Sequence, residues 1–169
     1  MLIWEYPTAE AAEVRRIWAN CVSESESYQG AYGTGGLIVS PLGTDLGDPI
    51  GKSVSILFSG GQFGLECGNW LLLVGFWIPK DFREEFLAWY KIERAPMLLE
   101  SPLWEGFRFA EQKVTDGCQF YAMHNLSDTA ALESAPSKFS GATPWFKRLA
   151  RNSWFEGAAK RTLYRRFPA

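Results

Sequence analysis

The sequence predicts an α+β chain, with a β-α-β-β-α-β run over 69–169 preceded by a shorter related lobe over 1–68. Three observations predict it. Trp70–Trp77 (WLLLVGFW) is an apolar run of strand length, bounded by Gly68-Asn69 and Pro79. Trp104–Gln112 (WEGFRFAEQ) alternates and is followed, after the turn signal Thr115-Asp116-Gly117, by a second strand-like stretch, Cys118–Leu126. Helix-start signals stand on either side of this hairpin, at Asp81 and at Thr143-Pro144.

After the Trp70 strand, Asp81 can cap a helix, and Glu84 three residues later completes a capping-box pattern. Phe82, Phe86 and Trp89 fall at helical spacing and form its inner stripe, and Pro96 ends that helix or starts a new short one. Beyond the hairpin, Ser127-Asp128 opens a short helix through Glu133. Thr143 is an N-cap with Pro144 at the first helical position and Trp145, Phe146 and Leu149 as the apolar stripe. Lys160–Phe167 reads as the last strand. This order is the split-βαβ, ferredoxin-like unit. Its helices lie on one face of the sheet, so the other face must be covered, usually by a second sheet.

The first 68 residues read as a reduced copy. Leu2–Tyr6 is a short strand ending at Pro7, and Thr8 caps a helix with Val14, Ile17, Trp18 and Cys21 on one face. Gly36–Leu42 and Lys52–Phe58 read as strands. Trp18 precedes Trp89 by 71 residues and Pro7 precedes Pro79 by 72, which sets the Leu37 strand against the Arg108 strand and leaves the copy without a second helix or a fourth strand. The glycine-rich stretches 30–36 and 60–68 do not link a strand to a helix in dinucleotide-loop form, so they read as turns and linkers.

Composition narrows the function classes. Apolar residues make up 47% and aromatics 15%, enough for a packed core with rings left over for a pocket or interface. No apolar run reaches the roughly 18 residues of a membrane span. The N-terminal stretch Met-Leu-Ile-Trp-Glu-Tyr-Pro has no basic region or long apolar region, so no secretory signal is expected. Cys21, Cys67 and Cys118 are odd in number and widely spaced, which argues against a disulfide framework or a zinc site and for a reducing, cytoplasmic location. Residues 147–169 carry seven bases and one acid, a local charge of +6 within a chain of net −2. These bases alternate with apolar residues, so they read as facing acidic surface of the same chain or a partner subunit rather than nucleic acid.

Phe86–Phe109 reads FLAWYKIERAPMLLESPLWEGFRF, and Trp89, Tyr90, Glu93, Pro96, Leu98, Pro102, Gly106 and Arg108 hold an ordered set of positions within it. This set resembles the small EthD-like proteins of the dimeric α/β-barrel (ferredoxin-like) superfamily. Phe120–Leu126, Ser134-Ala135-Pro136, Thr143-Pro144-Trp145 and Leu163-Tyr164-Arg165 extend the likeness over about 69–167. The resemblance implies a homodimer acting on a small, largely apolar or aromatic molecule without metal or organic cofactor, and with no nucleic-acid or membrane partner. One position departs: the family's Glu-His pair is Glu93-Arg94 here, and Arg stays protonated at any relevant pH.

The candidate catalytic residues are therefore Glu93, Arg94, Arg108 and His124, with Trp89, Trp104, Tyr121 and Trp145 as substrate-binding candidates. Glu93 follows 82, 86 and 89 on the apolar helix face, where desolvation would suit a general base; otherwise it is an ion-pair partner of a neighbouring cation. Arg94 or Arg108 would stabilise an anion. Arg108 alternates with Phe107 and Phe109 and faces away from them. His124, the only histidine, shares a strand face with Phe120 and Ala122 and is a proton donor or a satisfied structural residue. Expected function is proton transfer of isomerase or lyase type. The alternative is a non-catalytic small-ligand-binding or assembly protein.

Overall fold

The computed structural model describes residues 1–10, 12, 14, 16, 26–30, 34–40, 51–62 and 67–167. Nine strands form one antiparallel sheet: β1 (Leu2–Glu10), β2 (Glu26–Gly30), β3 (Thr34–Ser40), β4 (Gly51–Ser53), β5 (Ser55–Gly61), β6 (Trp70–Ile78), β7 (Trp104–Gln112), β8 (Cys118–Leu126) and β9 (Ala159–Arg166). Their spatial order is β4-β1-β3-β2-β9-β6-β8-β7-β5. The second half, β9-β6-β8-β7, is the fourth-first-third-second order of a ferredoxin-like unit, and β4-β1-β3-β2 repeats it.

The two halves join edge to edge. β9 pairs with β6 along Trp70–Phe76 and with β2 through Tyr164–Arg166. β4 and β5, separated only by Val54, do the same for the first half: β4 pairs with β1, and β5 pairs with β7 of the second half. The two ends of the strand order are thus one continuous stretch of chain, and the strand order closes on itself as a barrel. The sheet face that argued for a homodimer is covered by the chain's own first half.

This closure explains the almost unbroken apolar run in β6, which is covered on both sides. Leu72, Val74, Phe76 and Ile78 pack under the helices with Phe86, Trp89, Tyr90, Phe109 and Phe120. Leu71 and Leu73 point the other way, into a barrel core shared with Ile3, Tyr28, Leu37, Val39 and Val54 of the first half.

The first half corrects several expectations. β1 does not stop at Pro7 but runs to Glu10, with a register shift between Tyr6 and Glu10, an irregularity of the kind that tolerates proline. Thr8 is consequently in a strand rather than at a cap; Ala12, Val14 and Arg16 are helical with Val14 fully buried, while Ile17, Trp18 and Cys21 lie outside the described residues. β2 was not anticipated, because ESYQG offers no apolar alternation. With β2 in place, the Leu37 strand is the third of its half, and Gly51–Gly61 supplies the fourth strand that the sequence pattern left missing. A second helix of this half would fall in 41–50, outside the described residues.

The helical layer starts with a 3-10 turn, Lys80–Phe82, whose N-cap is Pro79 with no side-chain cap bond, so Asp81 is not the cap. It continues as α1 (Arg83–Trp89), a π turn (Tyr90–Arg94) and α2 (Ala95–Leu99). Pro96 stands in the first turn of the short helix α2, as expected of a proline that starts a new one, but the chain does not break before it. Its missing N–H and its ring are incompatible with a normal bond to the carbonyl four residues back, and the wide turn before it, in which the Ala95 N–H reaches the Tyr90 carbonyl, carries the helix past. After β8 come a 3-10 turn (Thr129–Glu133) capped by Asp128, then α3 (Ala135–Ser140), which the sequence pattern did not reveal, and α4 (Pro144–Leu149). Thr143 caps α4 as expected, accepting from the Phe146 N–H at 3.1 Å.

Candidate functional site

The sheet divides the residues singled out in the sequence. His124 lies between sheet and helices, as its parity with Phe120 and Ala122 required, and is 2% exposed. Its Nε2 shares a 2.6 Å hydrogen bond with the Tyr90 hydroxyl, and the Trp104 ring stands edge-on to it at 4.9 Å. Burial, helped by the charge of Arg94, lowers its pKa to about 3, so the imidazole is neutral at ordinary pH. Burial also raises the Tyr90 phenol well above its ordinary value.

The π turn presents the other helix-side candidates. Glu93 Oε1 accepts from Trp89 Nε1 at 3.0 Å and from Thr143 Oγ1 at 2.6 Å. Glu93 thereby ties the long helix to the start of α4 through neutral donors, not through Arg94. Arg94 donates to Ser140 Oγ and so reaches α3; burial and then the charge of Arg161 lower its pKa. Trp104 donates to the Ala131 carbonyl at 3.0 Å. Trp145 packs at the margin of this core with Arg148 over its ring at 5.6 Å. Trp89, Trp104 and His124 are thus buried in a helix–sheet layer filled by packed rings, among them Phe86, Tyr90, Phe109 and Phe120, with Glu93, Arg94 and Trp145 half-buried at its margin.

Arg108 and Tyr121 occupy the opposite face. Phe107 and Phe109 pack under the helices, and Arg108 pairs across strands with Met123, a barrel-core residue, so the sheet separates it from Glu93, Arg94 and His124. Tyr121 lines a cavity of about 310 Å³ in the barrel, together with Glu5, Lys52, Gly75, Trp77, Gln119 and Lys160.

Four strands place the polar groups of this cavity. Lys52 of β4 forms an ion pair with Glu5 of β1 and lies over the Tyr121 ring at 5.3 Å. Tyr164 of β9 donates to the other Glu5 oxygen at 3.3 Å, and Tyr121 of β8 donates to Gln112 Oε1 at 3.1 Å. Burial opposes the charge on Lys52, but its hydrogen bond to Glu5 and the Glu5 charge outweigh it, so its pKa is raised and it stays an ammonium. Burial raises the Tyr121 phenol, partly countered by Lys52. Gly75 lies on the wall of the cavity: its φ is not positive, so the backbone does not demand glycine, and a Cβ there would meet Tyr121 and Gln119 at ordinary contact distances of 3.5 and 3.7 Å. Of this set the sequence revealed Tyr121 alone. Glu5 and Lys52 are 47 residues apart in the chain and carry no local motif.

Among the described residues no three or more His, Cys, Asp or Glu converge as a metal site, and no helix is long and apolar enough to cross a membrane. No family model matches the chain, and no curated protein matches it in sequence. Solved structures do match in shape. A haem-degrading enzyme from Listeria monocytogenes aligns over 99% of this chain and 100% of its own, at 14% identity and a TM-score of 0.67. A monooxygenase-like protein from Listeria innocua aligns over 99% and 94% at 15% identity, with the same TM-score of 0.67. An uncharacterised ferredoxin-fold protein related to antibiotic biosynthesis monooxygenases, from Listeria monocytogenes, aligns over 99% and 94% at 13% identity, again at 0.67. The fold is ferredoxin-like. In this α/β barrel the likeness includes the first 68 residues, which the sequence resemblance did not reach. The residues present do not fit a histidine-ligated haem: the only imidazole is enclosed between sheet and helices, and its Nε2 is held by Tyr90.

Proposed function

We propose that the protein is a small-ligand-binding α/β barrel whose ligand enters the cavity between the two half-sheets. The observation that carries this reading is the cavity itself, which is lined by Gly75, the Glu5–Lys52 pair and Tyr121. A volume of about 310 Å³ suits a molecule of one or two rings. In the helix-side space, where the resemblance set Glu93 and His124, Glu93 is held by Trp89 and Thr143 and His124 by Tyr90.

Several fold neighbours are described as monooxygenase-like or haem-degrading, which supports chemistry on small molecules in this fold without specifying it here. Proton transfer is the second reading, and one observation favours it: a carboxylate, an ammonium and a phenol line one cavity, and a second phenol, Tyr164, holds the carboxylate from outside it. Glu5, not Glu93, would be its base. Glu5→Gln should then retain the ligand and lose exchange of its acidic C–H in deuterium oxide.

The test of binding uses naphthoate and naphthamide as probes, read by quenching of tryptophan fluorescence, since Trp77 lines the cavity and is 47% exposed. Gly75→Leu puts a side chain into the hollow. Binding by the parent and its loss in a folded Gly75→Leu variant are expected. Failure of both probes to bind, or equal binding by the variant, would overturn the proposal. A homodimer is no longer needed to cover the barrel face, so self-association would have to use the outer surface.

A further inference from the structure

We infer that the cavity selects a planar monoanion, an aromatic carboxylate or phenolate, through Lys160 and Trp77 at its mouth; this rests on the barrel cavity being the ligand site. The charges inside the cavity largely cancel. Lys52 is paired with Glu5, and Glu5 also accepts from Tyr164. Lys160 is different: it is exposed, it lines the same cavity, and it has no ion-pair partner among the described residues. The cavity with its mouth therefore carries one uncompensated positive charge.

Cross-strand register puts that charge beside a flat apolar surface. Lys160 pairs with Gly75 on the neighbouring strand, and Trp77 is two residues further along the same face of β6. The Trp77 N–H bonds to the Ala158 carbonyl at 3.1 Å, which fixes β6 against the residues that lead into β9. The indole lies against Gly117, where a Cβ would come within 2.7 Å of it, while the residue stays 47% exposed. A ring lying on Trp77 and reaching over Gly75 would hold an acidic group at Lys160, while the buried Tyr121 forms another part of the cavity wall. A cation would meet Lys160 unfavourably, and a neutral ring would leave its charge without a partner.

The experiment compares naphthoate, naphthamide and naphthylmethylamine, which share a ring and differ in charge, on the parent, Lys160→Met and Gly75→Leu. Naphthoate should bind the parent about tenfold more tightly than naphthamide, with the amine weakest, and Lys160→Met should remove the naphthoate advantage while leaving naphthamide unchanged. Rising salt should weaken naphthoate alone. Equal affinities for the acid and the amide, or a Lys160→Met change that weakens both alike, would overturn the anion preference while binding in the cavity stands. If no probe binds, or if Gly75→Leu binds like the parent, the cavity reading falls and this inference with it.

Discussion

Lowering the pH should destabilise this protein through a single imidazole. In the unfolded chain His124 has an ordinary pKa near 6.5; in the folded chain it is lowered to about 3 by burial. Below the unfolded value, the unfolded state binds a proton that the native state refuses, so stability is fully present above about pH 6.5 and is lost as pH falls toward about 3. Each unit in that window costs about 1.4 kcal/mol, so going from about pH 7 to about pH 4.5 removes about 2–3 kcal/mol on this account. Carboxylates titrate in part of the same range, so the parent must be compared with His124→Gln. That variant keeps a hydrogen-bonding group for Tyr90 and cannot acquire the charge. Urea unfolding followed by tryptophan fluorescence at the two pH values should show a loss larger in the parent by about 2–3 kcal/mol. The parent imidazole carbon resonances should also stay flat between these values. Equal losses in the two proteins, or a histidine that titrates near its ordinary value while the chain is folded, would refute the burial argument and reopen His124 as a group exchanging protons at neutral pH.

Glu93→Ala should cost about 1–3 kcal/mol by leaving Trp89 Nε1 and Thr143 Oγ1 without their shared acceptor, and Glu93→Gln, which keeps a carbonyl oxygen, should cost less than about 1 kcal/mol; denaturant midpoints distinguish them. Gly106→Ala should lower the melting temperature sharply, because its Cβ would run into the Gln62 backbone where β5 ends against β7; a loss under about 1 kcal/mol would argue against barrel closure at this point. Tyr164→Phe should weaken the hold on Glu5 and lower stability by about 1 kcal/mol, with no change in the denaturant slope. Sedimentation at micromolar concentration should give a species near the 19.0 kDa chain mass, since the barrel is complete within one chain; a dimer would show that the outer surface associates.

The second half of the fold was legible because each of its elements carries its own local signal. WLLLVGFW is too short and too apolar for anything but a doubly covered strand, Thr143-Pro144 is a helix start, and Asp116-Gly117 turns a hairpin. The first half was legible only in part, because its strands draw stability from neighbours that are distant in sequence. β2 is held by pairing with β3 and β9, and a polar ESYQG shows no trace of that. The candidate site follows the same division. Period-two parity placed His124 with Phe120 and Ala122, and Arg108 opposite Phe107 and Phe109, and both placements hold. Parity could not say which face would be filled and which left hollow, nor that Glu5 and Lys52 would meet, since only the closure of the barrel brings β1 and β4 to β8 and β9.

The two faces of β6 show why the hollow lies inside the barrel. On the helix side Leu72, Val74, Phe76 and Ile78 meet a layer of rings, and the helix above them can adjust its own path, as the π turn before Pro96 does, until the space is closed. On the barrel side the walls are strands whose spacing is set by cross-strand hydrogen bonds, so they do not move in readily to fill a missing side chain. A glycine on that face therefore leaves a lasting cavity, whereas on the helix side packing would close over it. The same rigidity keeps Lys52, Glu5, Tyr121 and Tyr164 in register from four separate strands. The barrel side is thus where this chain can hold a preorganised polar site, and replacing Gly75 is the most direct perturbation of it.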